Sequence, residues 1–401
     1  MADRKLFAMV ATLIAIGIVL SYTLSTYITI LFETNEFHFA IRQLLFGLFS
    51  LLVIFVLAQM DSKKHLNILG FTLFFISTAA MIAMPFLPES LVPAVGGAKR
   101  WIKIGGFSLA PVEFFKVGFV FFLAWSFSRR LGYHGGIGIV AELKRFAPYA
   151  VVFIFAVMMI AFVQNDLGQV IVLALTLVFM LMLAGSSLRF FFFLFASSVL
   201  LFLFFIFSAD HRILRIKSWW ALAQNSVLAL FPDDIASKLR VPPEVEPYQI
   251  GHSLNAINNG SLFGVGLGSG TFKLGFLSEI HTDFVLAGLA EEFGFVGVAV
   301  VVVLFLMMLQ RIFKVANRSK EPRDYLLSLG VALLLAFAFL VNAYGISGIT
   351  PIKGISVPFI SYGGSTIIAA SIGIGFVLMI SKDVDMEGKK ATRVVKEEKN
   401  E

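Results

Sequence analysis

Apolar stretches long enough to cross a bilayer recur about ten times along this chain, and no other feature limits its fold so severely. Roughly 20 apolar residues span the hydrocarbon core as a helix. Inside that core every backbone N–H and C=O must be satisfied within the protein, which leaves helices or closed barrels. Runs of this length are helical. They fall near residues 6–31, 40–59, 66–87, 111–128, 147–164, 166–185, 188–208, 282–309, 325–346 and 361–380, the fifth and sixth separated only by Gln164-Asn165-Asp166. Hydrophobic residues make up 58% of the chain, charged residues 14%, and mean hydropathy is +0.90, which no soluble core could hide. The expected fold is an all-α polytopic integral membrane protein of about ten transmembrane helices. A single transmembrane domain, 1–385, precedes a mixed-charge tail, 386–401, expected to be disordered.

Orientation follows from the loops. Arg4-Lys5, Lys63-Lys64, Arg129-Arg130 with Lys144-Arg145, Arg189, the run from Arg311 to Arg323 and the tail from Lys382 fall between alternate spans. The positive-inside rule places them in the cytoplasm, with both termini. The stretch of about 209–280 is then a large extracytoplasmic loop between the seventh and eighth spans. The net charge of +7 is mainly this topological signal, and no nucleic-acid partner is needed to explain it. The first apolar run is as long as a span and lacks a small-residue cleavage site, so it reads as the first helix, without a cleavable signal peptide. Absence of cysteine removes disulfides, thiolate catalysis and cysteine metal sites.

Chemistry is sought where charge meets the membrane. An unpaired carboxylate at the bilayer centre costs roughly 2.5–3.5 kcal/mol, so ionisable residues at such depth are functional candidates. The segment Glu279-Ile280-His281-Thr282-Asp283-Phe284, followed by Glu291-Glu292, sets acidic groups at the edge of an apolar span, and Asp283 is the first candidate. Arg42, Glu113, Lys116 and Asp166 join it near the outer ends of their spans, which predicts a shared polar cavity opening outward. Glu113 and Lys116, three apart on one helix face, can neutralise each other. Lys99, Arg100 and Lys103 break the positive-inside trend in the loop of about 88–110, as an anionic ligand or lipid headgroups would permit. The prolines and paired glycines from Pro351 to Ser365 predict irregular backbone around Lys353 at a cavity wall.

Other features carry weaker signals. His281 and Asp283 stand two apart, so direct pairing is not expected. The Gly264–Gly270 run lacks the strand and the Lys-Ser/Thr of a phosphate loop and reads as a flexible turn. Asp233, Asp234, Glu244 and Glu246 offer divalent-cation ligands or a solvated acidic loop. Within 209–280, Trp219-Trp220 marks an amphipathic interfacial piece, Asp233-Asp234 and Pro242-Pro243 mark irregular structure, and Gln249–Ile257 reads as a helix stopped by Asn258-Asn259-Gly260.

Taken in order, these segments resemble the SEDS family (shape, elongation, division and sporulation) of membrane glycosyltransferases. The motifs that carry the resemblance are Gly97-Ala98-Lys99-Arg100-Trp101-Ile102, Pro111-Val112-Glu113-Phe114-Phe115-Lys116, Asp166-Leu167-Gly168, Tyr248-Gln249, Glu279 to Phe284 and Pro358 to Gly364. The chain departs from the family pattern at Ala110, Val112, Asn165, Gln169, Ser278 and His252, while its acidic and basic positions keep their charge. Pro351-Ile352-Lys353-Gly354 is similar to the division (FtsW-like) branch, with the elongation (RodA-like) branch as the other candidate.

The resemblance implies polymerisation of lipid II, a disaccharide-pentapeptide on undecaprenyl pyrophosphate, at the outer face of the bacterial cytoplasmic (inner) membrane. It implies Asp283 as catalytic base. Arg42, Lys99, Arg100, Trp101, Glu113, Lys116, Asp166, Lys353, Ser361 and Tyr362 would bind substrate, with Lys99, Arg100, Lys116 and Lys353 facing the pyrophosphate. A divalent cation, Mg or Mn, could assist, with no ligand set indicated. The implied partner is a class B penicillin-binding protein, a transpeptidase. The alternative is a lipid II flippase, for which ionisable groups near the midplane and two related halves would be expected. A non-catalytic scaffold would leave the ionisable cluster unexplained.

Overall fold

The computed structural model describes residues 2–94, 97–130, 138–208, 210–241 and 248–397. The chain is a helical membrane protein. Its elements are α1 (Arg4–Thr23), α2 (Thr26–Leu31), α3 (His38–Gln59), α4 (Ser62–Ala83), β1 (Ile102–Ile104), β2 (Phe107–Leu109), α5 (Pro111–Arg130), α6 (Ile139–Met158), α7 (Leu167–Leu183) and α8 (Leu188–Phe207). Then follow α9 (Asp210–Leu228), α10 (Asp233–Leu239), α11 (Tyr248–Gly260), α12 (Val285–Arg318), α13 (Pro322–Ile346) and α14 (Gly364–Glu397). Among the described residues nine helices have the length and composition to cross a membrane, and α7 is a tenth, shorter apolar helix.

Helix starts follow local chemistry. Asp61 caps α4 by accepting from Lys63 N at 2.9 Å, and Ser187 caps α8 by accepting from Phe190 N at 3.2 Å. The most buried helices, α5, α13 and α14, form the centre of the bundle, with α3 and α4 packed on them. The peripheral α8 turns Phe192, Phe204 and Phe207 outward, as a lipid-facing helix must.

Five expectations are corrected. The first apolar run is two helices, broken between Thr23 and Thr26. The fifth span begins at Ile139, before the expected 147: Glu142 accepts from the Ser187 backbone N at 3.0 Å and from its hydroxyl at 2.6 Å, so the polar first turns are anchored. Asp233 and Asp234 open the short helix α10, where carboxylates suit the N-terminal dipole, rather than irregular structure. Pro242, Pro243, Glu244 and Glu246 lie outside the described residues. The loop after α4 holds an antiparallel hairpin, Ile102 opposite Leu109, that the all-α expectation lacked.

The fifth correction matters most. The eighth span is broken at Gly294, whose φ of 66° and ψ of −168° interrupt α12. That conformation belongs almost solely to glycine. The backbone groups freed by the break are satisfied by the preceding loop: Val265 N and Gly266 N donate to the Glu291 and Glu292 carbonyls (both 3.0 Å), and Phe295 N and Val296 N donate to Ser261 O and Leu262 O (3.0 and 3.1 Å). The Gly264–Gly270 run is therefore pinned to the break, where a free turn was expected. Gly264, at φ +83°, lies so close to the Glu292 carbonyl that no side chain fits.

Buried charge locks the same junction. Glu291 accepts from Thr271 N at 2.7 Å, Thr271 Oγ1 at 3.0 Å and Asn259 Nδ2 at 2.9 Å. Lys273 donates to Glu292 Oε1 at 2.8 Å and to the Gly268 carbonyl at 2.6 Å. Glu291 and Glu292 thus brace the fold.

Candidate functional site

Asp283 sits at the end of a tight turn in which its own N and that of Phe284 donate to the Glu279 carbonyl at 3.0 and 3.1 Å. Asn342 on α13 fixes this turn from below: its Nδ2 donates to the carbonyls of Asp283 and Ile355, both at 2.6 Å. One amide therefore ties the Asp283 turn to the loop that carries Lys353. The carboxylate packs onto Gly354, where an added Cβ would stand 2.6 Å from Asp283 Oδ2. Burial raises the Asp283 carboxyl from 3.8 to about 7, the charges of Glu279 and Asp166 add to the rise, and Arg100 and Arg215 oppose it. A carboxyl so placed accepts a proton effectively near neutral pH.

Across from it, Asp166 caps α7, accepting from Gln169 N at 3.2 Å. Burial raises its carboxyl too, against the pull of Arg100. Two arginines bind the carbonyl end of the turn before it. Arg100 donates to Gln164 O (2.8 Å) and Asn165 O (2.9 Å). Arg212, on α9, donates to Phe205 O at 2.8 Å, Ser208 Oγ at 3.2 Å, Ala161 O at 3.1 Å and Asn165 Oδ1 at 3.0 Å. Cations at a helix C-terminus are favourable in their own right.

Lys353 completes the group. Its Nζ lies 5.4 Å from the centre of the Phe202 ring. Burial lowers its ammonium to about 8, the positive charges of Arg215 and Arg212 lower it further, and Asp166 opposes. Asp283, Asp166, Arg100 and Lys353 are thus brought into one electrostatic neighbourhood.

The remaining predicted residues make separate contacts around this neighbourhood. Glu113 and Lys116 pair at 3.0 Å, as their spacing predicted, and Gln169 closes a triangle by accepting from Lys116 at 2.6 Å and donating to Glu113 at 2.9 Å. This triangle is buried and borders a small cavity of about 30 Å³ with Ile355, Ser356 and Thr366. Ser361 is 1% exposed, its hydroxyl donating to Thr282 O at 2.6 Å and accepting from Val357 N at 2.8 Å, so it braces the Asp283 turn. Tyr362 bonds Arg42 through its hydroxyl and, with His281, edges onto Phe39. His281 is thus held among aromatic rings. Lys99 reaches Pro85 O at 3.4 Å, and Trp101 stands half-buried before β1. Among the described residues no three His, Asp or Glu side chains converge on a metal position.

Comparison with known proteins decides the family. The FtsW/RodA/SpoVE cell cycle protein model matches residues 3–386. The chain belongs to the FtsW/RodA/SpoVE family. It is 46% identical over 381 residues to a probable peptidoglycan glycosyltransferase FtsW of Helicobacter pylori (strain ATCC 700392 / 26695), covering 95% of this chain and 98% of that protein. A probable peptidoglycan glycosyltransferase FtsW of Trichlorobacter lovleyi is 30% identical over 387 residues, covering 94% and 93%. Two solved structures share the fold. One is a chain of a peptidoglycan synthase complex that coordinates polymerization and crosslinking (TM-score 0.70, 22% identity, 96% of this chain and 98% of that one). The other is the rod shape determining protein RodA of Thermus thermophilus (TM-score 0.64, 22% identity, 95% and 97%).

In this family member, sequence reasoning overlooked Arg212, Arg215, Gln169, Asn342 and Lys273. A signal for two of them was present. Arg212 and Arg215 lie in the same loop as the tryptophans, which the charge pattern expects outside, so there they break the positive-inside trend as Lys99 and Arg100 do. Asn342 carried none, being one amide within an apolar run.

Proposed function

We propose that this bacterial membrane protein is a peptidoglycan glycosyltransferase of the division branch, polymerising lipid II at the outer face of the cytoplasmic membrane with both termini in the cytoplasm. The observation that carries the reading is Asp283: a half-buried carboxyl raised to about 7, packed on Gly354 beside Lys353. The names of the relatives support the reaction, and Lys353 supports the branch.

Asp283 takes the proton of the acceptor sugar's 4-hydroxyl as that oxygen attacks the anomeric carbon of the donor. The new C–O bond forms on the face opposite the breaking one, so the configuration inverts. The bond to the pyrophosphate oxygen breaks, and undecaprenyl pyrophosphate departs with the electron pair. Lys353 meets the developing negative charge, and Arg100 lends its field while holding the 164–165 carbonyls. Glu113, Lys116, Ser361 and Arg42 hold the walls and turns that place these groups. The partner is a class B penicillin-binding protein that crosslinks the strands.

The test uses the full chain purified with its transpeptidase partner. Asp283→Ala is expected to lower lipid II polymerisation by about 10²–10⁴-fold, the usual worth of a general base; a folded variant working at the wild-type rate would refute the assignment. The broken α12 is the one observation on the side of transport, since broken helices mark transporter sites. Its freed carbonyls and charges are already paired, however. Movement of lipid II across a vesicle bilayer without polymer would favour transport.

A further inference from the structure

Three side chains on one face of α9 bear on the site, and only two are committed to holding the helix in place. Arg212 anchors its start to Ala161 O and to Asn165 Oδ1, beside Asp166. Trp219, two turns on, donates its indole N–H to Gly348 O at 2.7 Å, five residues before Lys353. Positions 212, 215 and 219 follow the i, i+3, i+7 repeat of a single helix face. Arg215 therefore lies between the two anchors, on the side of Lys353 and Asp283, whose charges it influences. Unlike Arg212, which is buried with four hydrogen bonds, Arg215 is exposed.

Cation supply makes this position informative. A diphosphate leaving group gains negative charge as its bond breaks, and a guanidinium fork suits its paired oxygens. Arg100 has already spent Nε and one terminal nitrogen on backbone carbonyls, and Lys116 is locked in its triangle. Lys99 turns its ammonium to Pro85 O, and the ammonium of Lys353 by itself is a thin complement for a dianionic group.

We propose that Arg215 is a second diphosphate-binding cation, engaging the leaving group together with Lys353. This rests on the glycosyltransferase reading above. α9 then acts as a strap across the site, with Arg212 and Trp219 as its rivets and Arg215 as its working side chain.

The experiment uses the full chain with its partner and two probes, a prenyl diphosphate and the corresponding prenyl alcohol. Arg215→Gln is expected to weaken diphosphate binding about tenfold, leave alcohol binding unchanged and lower kcat, while Arg215→Lys restores part of both losses. A second readout separates this role from a structural one. Asp283 faces Glu279, Asp166, Arg100 and Arg215; removing a cation from that set moves the acidic limb of the rate–pH profile to higher pH. Wild-type diphosphate binding in Arg215→Gln, or equal weakening for both probes, would overturn the proposal. Arg215-dependent diphosphate binding by a protein that makes no polymer would uphold it and overturn the catalytic reading.

Discussion

Asp283 imposes a stability cost that can be measured without any substrate. Its carboxyl ionises near 3.8 in the unfolded chain and at about 7 in the folded one, so between those values the folded state holds the extra proton. Folding stability therefore falls as pH rises from about 4 to 7, and the loss is complete above 7. Three units of displacement correspond to about 4 kcal/mol at 1.36 kcal/mol per unit. The side chain is only partly shielded from solvent, so on the order of 2 kcal/mol is the better figure. Asp283→Asn removes the titration while keeping shape and polarity. The variant should match the wild type at pH 4 and exceed it by ~2 kcal/mol at pH 8.5. About 1 kcal/mol moves the midpoint of a 150–250-residue domain by 2–4 °C, so a chain of this length should gain about 2–4 °C. Thermal unfolding of both proteins in the same detergent across that pH range is the assay. A difference in Tm that stays constant with pH would show that Asp283 is not held in a charge-disfavouring site, and the case for it as a base near neutrality would fail with it.

Three further outcomes follow from the same geometry. Polymerisation should be bell-shaped in pH, rising through about 7 as Asp283 loses its proton and falling through about 8 as Lys353 loses its own; Lys353→Gln should abolish the alkaline limb of the rate profile. Lys273→Met leaves Glu292 buried and unpaired and should cost about 3–5 kcal/mol, with Glu292→Gln in the same chain recovering most of it in a thermal-unfolding comparison. Gly294→Ala forces a Cβ to 2.5 Å from the Leu262 carbonyl at positive φ and should cost about 2–4 kcal/mol, whereas Gly251→Ala, with open space around it on α11, should leave Tm unchanged or higher.

Much of the bundle was legible because bilayer physics writes long, nearly uninterrupted apolar runs. That Asp283, Asp166, Arg100 and Lys353 would gather was legible for a related reason: each is a charge that the membrane edge should reject, so each demands an explanation. What the sequence could not disclose is how those charges divide their labour. Arg100 and Lys116 look like equal candidates for an anionic ligand until the structure shows Arg100 bound to the Gln164 and Asn165 carbonyls and Lys116 bound to Glu113 and Gln169.

The break in α12 was hidden for a different reason. A lone glycine in an apolar run signals nothing by itself, and Glu291-Glu292 reads equally well as a cavity wall. The missing information was non-local: Gly294 can leave the helix only because Ser261, Leu262, Val265 and Gly266 arrive to bond the backbone it frees. A glycine-rich stretch and a glycine some thirty residues later are thus one feature, and neither makes sense alone. The consequence reaches the site. The short helix between Val285 and the break is fixed at its far end by Glu291 and by the Lys273–Glu292 pair, and at its near end by Asn342 under Asp283. Asp283 is held by a rigid segment clamped at both ends, which keeps its carboxyl against Gly354 despite the electrostatic cost of that position.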